Sequence, residues 1–214
     1  EIAEVDRDVW LNEFKALCAI SPTALENWKT FARLLLTHVN PYTKLAWKDD
    51  PALVSLCLLN EDNLTVHATT APDIGALYRA RFTAWQQARG AAPATPEEAP
   101  NAWARFLLEL HQKLADEGTR TLRDLGVKAL VTDANYRQET ALGLLRSGFD
   151  LVDNHDYYDL KKTLGEPFTL PYGHHQRSAV REQARLPRSL FASRLFGQPY
   201  TVTEFNYCYP NHQR

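Results

Sequence analysis

The 214-residue sequence contains no methionine, so Glu1 is not a natural translation start and the chain reads as a piece of a longer protein. No signal peptide is present in it, and a piece of this kind does not testify about targeting. Three cysteines, Cys18, Cys57 and Cys208, stand at wide and unpatterned spacing. An odd, scattered set makes neither a disulfide framework nor a zinc site. No apolar run approaches the roughly 20 residues that a membrane span requires. Charge of one sign is also missing: 24 basic residues against 26 acidic ones leave a net −2. Such a balance offers no electrostatic footprint for nucleic acid or an anionic membrane. What remains is 44% hydrophobic and 23% charged, the composition of one packed domain of ordinary size.

Periodicity supplies the layout. Val9, Trp10, Phe14 and Leu17 form one apolar stripe at helical spacing, and Leu25, Trp28, Phe31, Ala32, Leu35 and Leu36 form another. Ser21 predicts an N-cap, with Pro22 at the first helical position and Asn40-Pro41 as the stop. The short apolar run Ala52–Leu59 predicts a strand buried on both faces, as in a parallel sheet. Helices are expected over 73–90 and 101–125, split by a Pro- and Ala-rich loop at 90–96. A second strand is expected over 127–132, a helix over 138–146 and a third strand over 149–153. A helix around 188–196 and a fourth strand over 199–203 complete the series. Strand and helix alternate, the signature of parallel βαβ units.

The residues that follow each strand carry the chemistry. They are Asn60-Glu61-Asp62-Asn63, Asp133-Ala134-Asn135-Tyr136, Asp153-Asn154-His155-Asp156-Tyr157-Tyr158 and Glu204-Phe205-Asn206. Any one of these alone is more usually just the start of a solvated loop. Four in succession are another matter, because strand carboxyl ends converge on one face of a (β/α) barrel or line the crevice of an open sheet. Two carboxylates facing each other across a cleft, as Glu61 and Glu204 would, are what glycoside hydrolysis needs.

Leu58-Leu59-Asn60-Glu61 is similar to the Asn-Glu that ends the fourth barrel strand of clan A glycoside hydrolases such as family 5. Tyr200-Thr201-Val202-Thr203-Glu204-Phe205 resembles their seventh-strand nucleophile motif, and Asp153-Asn154-His155-Asp156-Tyr157 their sixth-strand His-x-Tyr. The three occur in the family's order across roughly residues 22–206. The resemblance implies an α/β fold, a partial (β/α)8 TIM barrel from the helix after the third strand through the seventh strand. It also implies a single truncated catalytic domain over residues 1–214, with the first three strands and the eighth unaccounted for. The activity implied is that of a retaining glycoside hydrolase, cleaving β-glycosidic bonds of oligo- or polysaccharides by double displacement.

In that scheme Glu61 is the acid/base, its pKa raised, and Glu204 is the ionised nucleophile. Tyr157 donates to Glu204, with Tyr158 as the alternative in a shifted register. Asn60 contacts the sugar 2-hydroxyl, Asn135 and His155 line the subsite, and the two carboxyl groups stand about 5–5.5 Å apart. Carbohydrate is the implied partner, without metal, cofactor, nucleic acid or membrane, and the implied location is secreted or periplasmic.

Two other classes compete. One is a non-catalytic carbohydrate-binding barrel. The other is a metal-dependent hydrolase using Asp153, His155, His174 and His175, which lack the i, i+4 spacing that places two ligands on one helix face. Trp10, Trp28 and Trp103 sit in apolar stripes and are expected in the core. Asn63-Leu64-Thr65 matches a glycosylation sequon, and Cys208 reads as an ordinary thiol.

Overall fold

Proline opens the three long helices of the first half of the chain: Pro22, Pro72 and Pro100 each stand in the first helical turn. There the missing N–H has no helical acceptor to lose, and the fixed φ is already helical. The computed structural model describes residues 2–136, 140–158, 162–163, 172–173, 181 and 190–207. The chain divides into two compact units, 1–133 and 134–214.

The first unit runs α1 (Leu11–Cys18), α2 (Pro22–Thr37), β1 (Ser55–Cys57), α3 (Leu64–His67), α4 (Pro72–Gln87), α5 (Pro100–Asp124) and β2 (Leu130–Thr132). Ser21 caps α2 as expected, its hydroxyl accepting from Ala24 N–H at 3.1 Å. The helix buries Ala24, Trp28, Ala32 and Leu36, one residue every four, and leaves Phe31, Leu34 and Leu35 in solvent. The expected stripe was therefore too wide.

Trp10 corrects the sequence reading more sharply, being 81% exposed. It stands before the first turn of α1, where its backbone N–H donates to Glu13 Oε2 at 2.8 Å, and the buried face is Glu13, Ala16 and Leu17. Trp28 is buried as expected, and its Nε1 donates to the Leu58 carbonyl at 3.0 Å.

Strands β1 and β2 pair in parallel, Leu56 opposite Val131, across the crossover made by α3, α4 and α5. The strand read from Ala52–Leu59 is only three residues long and half-buried, not enclosed on both faces. α5 lies close to its end: a Cβ on Gly118 would stand 3.2 Å from Leu58 and 3.4 Å from Trp28. Its C-terminus is a Schellman turn, in which Gly126 (φ 87°) donates to Arg123 and Val127 N–H donates to the Leu122 carbonyl. Between α4 and α5 the rings of Phe82, Trp103 and Phe106 stack edge-on and tilted, with Phe82 and Trp103 centroids 5.2 Å apart.

The second unit runs α6 (Thr140–Arg146), β3 (Val152–Tyr158), β4 (Lys162–Thr163), β5 (Tyr172–Gly173) and β6 (Tyr200–Tyr207). β3 and β6 form a parallel pair, and β4 pairs antiparallel with β5. Leu142, Leu145, Phe149, Leu151 and Val152 are its buried apolar core. Both parallel strands differ from the reading by sequence, which ended them before their polar residues. His155, Asp156 and Tyr157 lie within β3, and Glu204 lies within β6.

The chain is thus α/β, with one parallel strand pair among the described residues of each unit. No described helix is long and apolar enough to cross a membrane.

Candidate active site

A bulge in the second unit brings its polar residues together. Opposite residues run Val152–Tyr200, Asp153–Thr201 and Asn154–Val202, and then the register jumps, so that His155 faces Glu204. Thr203 is the extra residue. Side chains alternate along a strand with period two, so an unbroken ladder would set Thr203 opposite His155 and turn Glu204 to the other face. With the bulge, Thr203 and Glu204 both reach the face of Asp153, His155 and Tyr157. Tyr157 Oη donates to Glu204 Oε2 at 2.6 Å, and His155 Nδ1 lies 3.4 Å from Glu204 Oε1. The short O–H···O bond marks a donor to a charged acceptor. Glu204 itself is half-buried.

Behind Glu204 stands Asp153, a buried carboxylate that the sequence reading placed only in a metal cluster. Its Oδ1 accepts from Thr201 Oγ1 at 2.9 Å and from Thr203 N–H at 3.1 Å. Its Oδ2 accepts from Thr203 Oγ1 and from Asn135 Nδ2, the latter at 3.2 Å. Burial works to raise its pKa, but the hydrogen bonds of His155, Thr203, Thr201 and Asn135 outweigh it and hold the carboxyl below the usual range. Asn135 also reaches His155 Nε2 at 3.0 Å, while His155 N–H donates to the Asn135 carbonyl. Asn135 and His155 are both buried, so within this unit their contacts brace Glu204 and Asp153. The alternation of Thr201 and Thr203 was the only sequence sign of this network.

In the first unit, Asn60 and Glu61 follow β1. Asn60 is exposed, Glu61 is half-buried and Asp62 is fully buried. Glu61 has φ 54°, a left-handed conformation costing a residue with a Cβ about 1–3 kcal/mol. Its carbonyl accepts from His67 Nε2 at 2.7 Å and from Lys15 Nζ at 3.5 Å. Since a carbonyl carries no proton, His67 must hold one on Nε2. Burial lowers the pKa of His67, which fits a neutral ring in that tautomer. The sequon residue Asn63 is fully buried as the cap of α3, accepting from Thr65 N–H at 3.1 Å, and so is closed to a glycan.

Beneath this turn lies a cluster that sequence reasoning missed. His111, on the apolar face of α5, brings Nε2 to 3.0 Å from Asp62 Oδ2 and 3.5 Å from Asp133 Oδ2. All three side chains are buried, and among the described residues Asp62 Oδ1 has no hydrogen-bond partner while Asp133 Oδ2 meets His111 at the longer distance. Burial opposes a charged imidazole, but the Asp62 charge and the hydrogen bonds toward Asp133 and Asp62 prevail and raise His111 to about 10. Burial, and then the Asp62 charge, push Asp133 up to about 7. Only a lone histidine among the apolar positions of α5 signalled this cluster in the sequence. One imidazole and two carboxylates, their ligand atoms within 4.8 Å of one another, are also a donor set that can take a divalent cation.

Asn60 and Glu61 thus belong to the first unit, and Asn135, His155, Tyr157 and Glu204 to the second, where the structure brings them together. Tyr158 pairs with Tyr207 at the end of β3. His174, His175 and Cys208 lie outside the described residues. Cys18 is buried, and the half-buried Cys57 points its Sγ to the Leu59 carbonyl at 3.5 Å. Protein-family models, curated proteins and solved structures offer no match to this chain.

Proposed function

We propose that this chain is the central part of a (β/α)8-barrel glycosidase of the clan A type, a retaining enzyme acting on β-glycosides. The observation that carries the reading is the Tyr157–Glu204 bond at 2.6 Å, made possible by the bulge at Thr203. A phenol donor on one carboxylate oxygen and an imidazole nitrogen beside the other orient Glu204 as an ionised nucleophile. Asn60-Glu61, on a strained and anchored turn after a parallel strand, supplies the second carboxyl and the amide for the sugar 2-hydroxyl.

In the first step Glu204 attacks the anomeric carbon while Glu61 gives its proton to the departing glycosidic oxygen. In the second, Glu61 takes a proton from water, which attacks the same carbon and releases Glu204. No cofactor enters either step. Retaining enzymes of this kind use carboxyls about 5–5.5 Å apart, and the scheme predicts a product of unchanged anomeric configuration.

Chromogenic β-glycosides test it. Glu204→Ala should lower kcat/KM by at least about a thousandfold, and a 2-fluoro glycoside should add one sugar mass to the peptide containing Glu204. Full activity in Glu204→Ala, or a label on another residue, would overturn the assignment.

A further inference from the structure

The exposed Asn60 and strained Glu61 are gripped on both sides by the same buried cluster. Before them, Leu59 N–H donates to Asp133 Oδ1 at 3.1 Å. After them, Asp62 Oδ2 meets His111 Nε2 at 3.0 Å. His111 also stands 3.5 Å from Asp133 Oδ2, so this one imidazole links the carboxylate holding residue 59 to the carboxylate at residue 62. It is well placed to do so: it projects from a helix of 25 residues and is the single titratable group among that helix's buried positions.

Nothing in the intrinsic preference of a glutamate holds it at φ 54°, so the surrounding structure must determine that conformation. The His67 and Lys15 bonds act on the Glu61 carbonyl, and the His111 cluster fixes its neighbours on either side.

We propose that His111 is a positioning residue for Glu61, acting through Asp62 and Asp133 to hold the turn in the conformation its acid/base role requires. The inference rests on the glycosidase reading for what the turn is for, and on geometry alone for the clamp. The expected signature is a loss of proton donation with folding retained.

The test compares the full chain with His111→Gln and with the milder Asp62→Asn, which keeps the volume and removes the charge. Amide hydrogen exchange over residues 59–67 should accelerate about tenfold or more in His111→Gln, with the α5 amides unchanged. On aryl β-glycosides with poor leaving groups kcat/KM, which reports the first step alone, should fall about 10–100-fold. Dinitrophenolate leaves without a proton, so kcat/KM on those substrates should change by less than about threefold, while their kcat falls because the attacking water still needs Glu61. Glu61→Gln should give the same pattern, more strongly.

Unchanged exchange over 59–67 in both variants overturns the clamp, and an equal loss of kcat/KM on all leaving groups overturns the positioning role. Zinc or manganese held stoichiometrically by the wild type and lost in His111→Gln also overturns it, making the cluster a metal centre. A wild type with normal exchange that hydrolyses no β-glycoside sinks the glycosidase reading instead.

Discussion

Each unit buries an aspartate–histidine cluster, and the two are built on opposite terms. In the second, Asp153 receives four donors, two on each oxygen, and stays ionised below the usual carboxylate range. In the first, Asp62 and Asp133 share a single imidazole, Asp133 Oδ1 adds the Leu59 N–H, and among the described residues Asp62 Oδ1 has no hydrogen-bond partner. Asp133 is pushed up to about 7 as a result of burial and its neighbour's charge. Asp153, Asp62 and Asp133 are all fully buried or nearly so, so burial does not separate them. The number of hydrogens aimed at the carboxylate does, because each stabilises the charged form where water cannot.

The sharpest way to break the comparison is to neutralise each aspartate in turn. Asp153→Asn puts an NH2 against donors and should destabilise the second unit by about 3–5 kcal/mol, read from exchange of the β3 amides. Asp133→Asn removes a charge that burial and Asp62 disfavour, keeps an amide oxygen for the Leu59 N–H, and should change the first unit's stability by no more than about 1 kcal/mol. If the two substitutions cost the same, donor count is not what distinguishes the clusters.

Tyr157→Phe removes the donor on Glu204 without touching Asp153. A hydrogen bond to a charged group contributes about 1.5–3 kcal/mol, so kcat/KM on a chromogenic β-glycoside should fall about 10–100-fold with folding intact.

A pH titration sharpens the contrast further. His111 is raised from 6.5 to about 10, so its stabilisation is complete below about 6.5 and is lost as pH climbs through about 10. Asp133 is raised from 3.8 to about 7, so its contribution is complete below about 3.8 and is lost as pH climbs through about 7. Both slopes have one sign: the cluster's contribution should weaken from about pH 4 to about pH 10, opposed below about pH 6.5 by His67, whose lowered pKa adds stability as pH rises. Tryptophan fluorescence during urea unfolding reads this unit selectively, because all five tryptophans lie within residues 1–133. Asp133→Asn should flatten the lower half of that profile.

The smallest effect is expected at Glu61. Glu61→Gly relieves the left-handed backbone and should stabilise the first unit by about 1 kcal/mol while abolishing turnover.

Much of this architecture was legible in the sequence. Ser21-Pro22, the loop at 90–96 and Gly126 bound helices where propensity and capping agree, and the helices at 72–87 and 100–124 fall close to the expected spans. The helix faces were less legible. A stripe containing Trp10, Phe31 and Leu35 is apolar whether or not it meets the core, and the structure leaves those three in solvent. β3 and β6 ran on through residues read as loop because Asp, Asn and Glu are depleted in strands and so broke the apolar runs. The Tyr157 partnership with Glu204 was anticipated from the family motif. His111 was not, since a histidine 49 positions from Asp62 carries no spacing signal.

The irregular ladder at Thr203 has an evolutionary corollary. Loss of that one codon would straighten β6 against β3 and leave the glutamate still opposite His155, on the face of Tyr157. What would go is a hydroxyl that Asp153 accepts from, so relatives lacking that codon would keep the glutamate in place and lose one donor from the buried carboxylate behind it.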